Sequence, residues 1–212
     1  MIKVLNLYSG IGGNRKFWKN VLVTAVEYSE EIANIYQDFF PEDIVIVTDA
    51  HKYLARNYMK YDFIWSSPPC QSHSKVRMMA SKSGSYDAIM PDMTLWSEII
   101  FLKHFAKCPW VVENVKPYYE PLIIPTQKLG RHYFWSNFDI PIKEISDGLS
   151  HNQRGSNDYG FFDIRNYNIK HRKDQVIRNA VNPIIGEYIL ELAIKRASLE
   201  QPAQIKSQIT KA

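Results

Sequence analysis

The chain has 212 residues, of which 45% are hydrophobic and 23% charged, and its 26 basic and 22 acidic side chains give a formal net charge of +4. These proportions fit an ordinary globular protein with one main domain and exclude collagen-like, disordered and disulfide-scaffolded classes. The small basic excess permits a polyanionic partner without requiring one.

Taken in chain order, residues 3–7 form a short apolar run that ends in the turn Ser9-Gly10-Ile11-Gly12-Gly13. Residues 14–20 are expected to form a short helix. Residues 21–27 are apolar and β-branched and read as a strand. Ser29 is a suitable N-cap, with Glu30 and Glu31 in the first turn of a helix that runs to Phe40 and is stopped by Pro41. Residues 44–47 make a third strand, followed by Asp49. Residues 62–66 make a fourth, followed by Pro68-Pro69-Cys70. Leu95, Ile99 and Leu102 give residues 92–107 a helical period, and residues 110–113 make a fifth strand ending at Glu113-Asn114. Residues 131–138 alternate and are aromatic, as in a strand. Residues 139–176 are rich in Asn, Gly, Asp, Arg and Tyr and read as an irregular insert. Residues 184–197 form a last amphipathic helix, and the polar residues 199–212, which include Pro202, form a frayed tail.

Short apolar strands separated by helices predict an α/β fold with a doubly wound, mostly parallel sheet. In such sheets ligands bind beyond the carboxyl ends of the strands, and the glycine turn, Glu27, Asp49, Cys70 and Glu113 all fall there. The two cysteines, Cys70 and Cys108, are too few for a disulfide framework. There is no apolar leader at the N-terminus and no stretch of about 18 apolar residues, so a cytoplasmic protein without a membrane span is expected.

Each chemically loaded residue has two readings. The glycine turn either brings backbone N–H groups to a ligand or is a tight strand-to-helix connection. It lacks both the Gly-x-Gly-x-x-Gly spacing of a dinucleotide site and the Gly-Lys-Ser/Thr of a phosphate loop, so a nucleoside suits it better. Glu27 either accepts both hydroxyls of a ribose or is solvated. Asp49 either accepts a hydrogen bond from an adenine amino group or caps the segment that begins at Ala50. The Pro68-Pro69 pair projects Cys70 from the sheet edge, where an exposed, partly ionised thiol is a nucleophile and a buried one is filler. Cys108, beside the fifth strand, reads as structural. Glu113 on an apolar strand is costly unless used or paired; in an apolar pocket its pKa would rise, suiting proton donation near neutral pH, and a salt bridge is the other reading. The cysteines and the six histidines show no metal-ligand spacing, so no metal is expected, and the Gly-x-Ser-x-Gly signature is absent.

Tyr8-Ser9-Gly10-Ile11-Gly12-Gly13, Pro68-Pro69-Cys70-Gln71 and Glu113-Asn114-Val115 occur in this order, each after a strand. Together they resemble motifs I, IV and VI of the cytosine-5 DNA methyltransferases. Gln127-Lys128-Leu129-Gly130-Arg131 is similar to the Gln-x-Arg-x-Arg of motif VIII, with Leu129 where an arginine is usual. Arg178-Asn179-Ala180-Val181 is similar to motif X, with Arg178 where a glycine is usual, and no clear motif IX is present.

The resemblance covers most of the chain up to about Ala197. It implies the Rossmann-like fold of S-adenosylmethionine-dependent methyltransferases, and the chemistry that goes with it. Cys70 would attack carbon 6 of a flipped-out cytosine, which then takes a methyl group on carbon 5. Glu113 would stabilise the attacked ring at nitrogen 3, Asn114 would hold the local backbone, and Arg131 would contact the base oxygen. Cofactor contacts are implied for Tyr8, Gly10, Ile11, Gly12, Gly13, Glu27, Tyr28, Asp49, Ala50, Ser67, Pro69, Leu95, Asn179 and Ala180. Residues 71–90 resemble the family's mobile catalytic loop, with Lys75, Arg77 and Lys82 suited to phosphate contact; an ordinary solvated basic loop is the other reading.

The domain division expected from this is a catalytic and cofactor-binding region at 1–138, a reduced target-recognition region at 139–176, a returning helix at 177–198 and the tail. DNA contacts are expected from Gln71, Ser74, Lys75, Arg77, Arg154 and Arg165, with Asn152, Gln153 and Asn157 as further base contacts. A region this small predicts a short recognition sequence or low specificity. The partner expected is double-stranded DNA, bound by a monomer; restriction, regulation and phage self-protection all fit. Three other readings compete: a cytosine-5 methyltransferase acting on tRNA, a degenerate methyltransferase that only binds DNA, and a nicotinamide-dependent dehydrogenase.

Overall fold

The computed structural model describes residues 1–144 and 161–209, with residues 200–209 described by backbone alone. The chain runs through β1 (Ile2–Leu7), β2 (Val21–Glu27), α1 (Glu30–Phe39), β3 (Ile44–Val47), α2 (Ala50–Asn57), β4 (Phe63–Ser66), α3 (Lys75–Lys82), α4 (Thr94–Phe105), β5 (Trp110–Val115), β6 (Gln127–Leu129), β7 (His132–Ser136), α5 (Lys173–Asn179) and α6 (Pro183–Ile209). The strands form one seven-stranded sheet in the order β3-β2-β1-β4-β5-β7-β6. Strands β1 to β5 pair in parallel, and β7 runs antiparallel to both β5 and β6. The doubly wound, mostly parallel sheet expected from the sequence is the one observed.

Successive side chains on a strand point to opposite faces, so the neighbours Val4 and Leu5, Phe63 and Ile64, and Val111 and Val112 divide between two cores. One core holds α6 through Ile185, Ile189 and Ala193, which lie along one stripe of the helix. The other holds α2 and α4 through Leu54, Leu95, Ile99 and Leu102. Because they are covered on both faces, these strands read as unbroken apolar runs. A third cluster joins Ile32 and Ile35 of α1 to Phe162, Ile164 and Ile177, which fixes the segment after residue 160 beside the glycine turn.

Several local expectations are corrected. Residues 14–20 form consecutive turns rather than a helix: Arg15 N donates to Gly12 O, and Trp18 N to Arg15 O. Distant partners take the side chains of this segment, with Asn14 bonded to Asn6, Arg15 to Asp43 and Trp18 to the Gly186 carbonyl. Tertiary contacts thus override a weak local preference. Ser29 occupies the N-cap position of α1 without a side-chain cap bond; its backbone N–H donates instead to Glu27. The expected loop at 71–90 contains α3, and α5 begins inside the expected irregular insert. The fifth strand continues past Glu113 to Val115 because β7 pairs alongside it, with Glu113 opposite Phe134. The strand expected at 131–138 is shorter, because Gly130 (φ 55°) and Arg131 form the two-residue turn from β6 to β7. The expected frayed tail is helical as far as Ile209. Extending an existing helix through good formers such as Ala203, Gln204 and Lys206 is easier than nucleating one, even past Pro202. No helix among the described residues is long and apolar enough to cross a membrane.

Candidate active site

The carboxyl ends of the central strands open into one cleft of about 660 Å3. Into it come Tyr8, Gly10, Ile11 and Gly13 after β1, Glu27 and Tyr28 after β2, and Asp49 and Ala50 after β3. Ser67, Pro69, Cys70 and Gln71 enter after β4 together with Ser74, Glu113 and Asn114 enter from β5, and Arg131, Asn179 and Ala180 complete the wall. Two residues expected in this set do not line the cleft. Leu95 is 1% exposed inside the α4 core. Gly12, at φ 83°, faces α1, where a Cβ would stand 2.2 Å from Phe40 Cε2. Both are packing positions.

The turn after β1 is shaped by its contacts. Gly10 is left-handed at φ 53°, and a Cβ there would meet nothing within 4 Å, so the backbone faces open space in the cleft. Ser9 Oγ, beside it, is buried without a partner. Gly13 packs against the motif X segment, where a Cβ would lie 2.4 Å from the Val181 carbonyl oxygen. Glu27 Oε2 accepts from Gly10 N at 3.0 Å, and Oε1 accepts from Tyr28 N and Ser29 N at 2.9 and 3.0 Å. A carboxylate has about four acceptor sites, so one on Oε2 stays free toward the cleft. Asp49 is the N-cap of α2, accepting from Lys52 N at 3.0 Å, and it also lines the cleft. That backbone bond is the main cause of its lowered pKa.

Across the cleft, Asn114 Nδ2 donates to the Pro68 carbonyl at 2.8 Å, while its Oδ1 accepts from Val115 N at 3.0 Å. This ties the Pro-Pro-Cys turn to β5. Burial pushes the Cys70 thiol up to about 11; the Glu113 charge adds to the rise and Arg131 opposes it. Burial pushes the Glu113 carboxyl up to about 7, against a hydrogen bond from Ser67 and the charge of Arg131. His132 Nε2 lies 3.6 Å from Glu113 Oε1. This is not an ion pair, since burial and Arg131 hold His132 neutral, down to about 3. Arg131 is fixed at the hairpin tip, with Nη2 donating to the Arg178 carbonyl at 2.5 Å. Leu129, where motif VIII usually has arginine, is 2% exposed in the α6-side core.

These couplings predict the reactivity of the thiol. Above pH 7 Glu113 is ionised and its charge disfavours the thiolate. Glu113→Gln removes that charge, so alkylation of Cys70 by iodoacetamide at pH 8.5 is expected to rise roughly threefold or more. Cys108, raised to about 11 chiefly by burial, is the internal reference. Equal rates in both chains, read by mass spectrometry, would show that the two groups are not coupled.

The expected DNA-contact residues are scattered. Gln71 and Ser74 border the cleft, and Lys75 is exposed at the start of α3. Arg77 Nη2 donates to the Asp87 carbonyl at 3.3 Å, and its guanidinium stacks on Tyr86. Arg165 pairs with Asp163 at 2.6 Å, outside the cleft. Asn152, Gln153, Arg154 and Asn157 lie outside the described residues. Sequence reasoning missed His51, Glu98 and His132. The available signal for Glu98 was its place in the apolar stripe of α4, between Leu95 and Leu102.

Among the described residues, no group of three or more His, Cys, Asp and Glu side chains could hold a metal ion. No curated protein matches the chain. Among solved structures, a methyltransferase of Entamoeba histolytica is similar at 20% identity and a TM-score of 0.39, covering 57% of this chain and 40% of that one. DNMT2 of Spodoptera frugiperda is similar at 22% identity and a TM-score of 0.41, covering 57% of this chain and 38% of that one. The chain therefore spans well under half of the length of either. The family model for the C-5 cytosine-specific DNA methylase matches residues 2–120, which carry the glycine turn, Cys70 and Glu113. The chain belongs to the C-5 cytosine-specific DNA methylase family.

Proposed function

We propose that this chain transfers a methyl group to carbon 5 of cytosine in double-stranded DNA. The observation that carries the reading is the sharing of one cleft by the Cys70 thiol, the Glu113 carboxyl and the glycine turn. Family membership implies S-adenosylmethionine as the methyl donor. The residues present fit it: Ser9, whose buried Oγ has no partner, Gly10, whose backbone is open, and Glu27, with a free acceptor site, line one cleft. When bound, S-adenosylmethionine supplies a methyl group on a positively charged sulfur. Glu27 would hold its ribose, Asp49 the amino group of its adenine, and Tyr8, Ile11, Asn179 and Ala180 the remaining wall.

The rest is the work of the chain's own side chains. Cys70 gives up its thiol proton to water in the cleft, and its sulfur bonds to carbon 6 of a cytosine turned out of the duplex. Glu113, protonated below about pH 7, gives its proton to ring nitrogen 3 as the electron pair moves toward carbon 5. Arg131 faces the base oxygen. After carbon 5 has gained its methyl group, water takes the carbon-5 proton, the electron pair of that bond re-forms the ring double bond and expels the Cys70 sulfur as thiolate, and nitrogen 3 returns its proton to Glu113. Residues 139–176 form the reduced target-recognition region. In support, residues 170–171 bond to Glu31 of α1, and Phe162 packs on Phe39, which fixes the described part of the region beside the cleft.

The test is methyl transfer from labelled S-adenosylmethionine to unmethylated DNA and to tRNA in parallel, followed by bisulfite sequencing. Label on DNA cytosine is expected. Label on tRNA alone would move the reading to RNA. No label, with the cofactor still bound, would leave a binding protein.

A further inference from the structure

The carboxylate of Glu98 is completely buried on α4, yet it touches the cleft through others. Its Oε1 accepts from the Tyr8 hydroxyl at 2.6 Å and lies 3.0 Å from His51 Nδ1; its Oε2 accepts from Ser66 Oγ at 2.5 Å. Tyr8 and His51 both line the cleft, and the His51 side chain is 47% exposed there. One buried oxygen therefore sets the position of two rings on the cleft wall, next to Asp49. A buried carboxylate on an otherwise apolar stripe is costly, and three donors are what make it tolerable.

The chemistry of His51 follows from this bond. With Nδ1–H donated to Glu98, Nε2 is free. It is a bare acceptor when the ring is neutral and an N–H donor when the ring is charged. The charged groups acting on His51 are Glu98 from α4, Asp49 at the cap of its own helix and Asp92 before α4, and the Tyr8 hydroxyl after β1 shares Glu98 Oε1 with it. Lys52 is paired with Asp49 at 3.7 Å. The hydrogen bond to Glu98 is the largest influence raising the pKa of the imidazole, and the charges of Asp49 and Asp92 add to it.

We propose that His51 is a further cofactor-binding residue, with its Nε2–H donated to a ring nitrogen of the purine, and that Glu98 is its positioning residue. The donor pattern matches: a purine amino group gives to Asp49 while the ring nitrogens accept. Affinity is then highest when His51 is charged and falls as pH rises through its titration. Neutral His51 on Glu98 presents a lone pair to a lone pair. The inference rests on the assignment of this cleft to the cofactor.

Binding of S-adenosylhomocysteine is measured by calorimetry from pH 5.5 to 8.5, alongside the NMR titration of the His51 ring. The parent chain is expected to weaken about tenfold across the His51 midpoint, the effect of one hydrogen bond involving a charged group. His51→Ala, at an exposed position, is expected to bind about tenfold more weakly at pH 6 and to lose the inflection. Glu98→Gln is expected to lower the His51 midpoint. A glutamine amide can donate to Nδ1 and leave the proton on Nε2 of the neutral ring, so the inflection vanishes in this variant as well. Binding by the parent with unchanged affinity and pH profile in His51→Ala overturns the proposal alone. Failure of the parent to bind at any pH overturns the assignment of the cleft with it.

Discussion

Replacement of Cys70 by alanine is expected to reduce methyl transfer by at least about 10,000-fold, the scale on which removal of a covalent nucleophile is felt. Binding of S-adenosylhomocysteine is expected to stay within about twofold of the parent. The side chain is small, half-buried and free of disulfide bonds, and the hydrogen bonds that shape the Pro-Pro-Cys turn run through Asn114 and backbone atoms. Its loss therefore removes chemistry and not structure. A base with fluorine at carbon 5 cannot lose a proton there, so the parent chain would be trapped on such DNA as a covalent complex and the alanine chain would not. An alanine chain that kept a tenth of the activity would rule out Cys70 as the nucleophile.

The second large effect is on stability. Gly186 lies in the first turns of α6, where a Cβ would stand 2.1 Å from the Asn14 carbonyl oxygen and 2.6 Å from Asn14 Cα. Those atoms are backbone and cannot swing aside. The Gly186 carbonyl also accepts from Trp18 Nε1 at 2.9 Å, so shifting the helix breaks a buried hydrogen bond. Gly186→Ala is expected to destabilise the protein by about 3 kcal/mol or more. For a chain of this size that is a Tm lowered by roughly 6–12 °C in a thermal melt. A Tm within a degree of the parent would mean that the helix does not lie this close to the turn.

The sheet was legible because β1, β2, β4 and β5 are covered on both faces and so carry apolar runs that short-range periodicity detects. The candidate site was legible for a related reason. Parallel strands all point one way, so residues just past each strand meet at one end, and the glycine turn, Glu27, Asp49, Cys70 and Glu113 do meet. What was not legible depended on distant partners. The segment at 14–20 looks helical in isolation, but Asn6, Asp43 and Gly186 hold it in turns. His51 carries no spacing signal, because it acquires its place from a carboxylate 47 positions along the chain, Glu98, and His132 is set beside Glu113 only by the pairing of β7 with β5. Leu95 is implied as a cofactor contact, yet the helical stripe that marks it turns it into the core.

The seating of Asn14 against Gly186, and of Gly13 against Val181, also bears on the order of assembly. The turn that begins the chain's first crossover is walled by residues synthesised some 170 positions later, as the Trp18 to Gly186 bond across 168 positions shows. During translation β1 to β5 can pair and collapse as they emerge, yet the ligand end of β1 stays unwalled until α6 has left the ribosome. Closure of such a distant contact is slow relative to local pairing. Nascent chains halted before residue 183 are accordingly expected to hold sheet structure without a competent cleft, which couples ligand capture to the synthesis of α6.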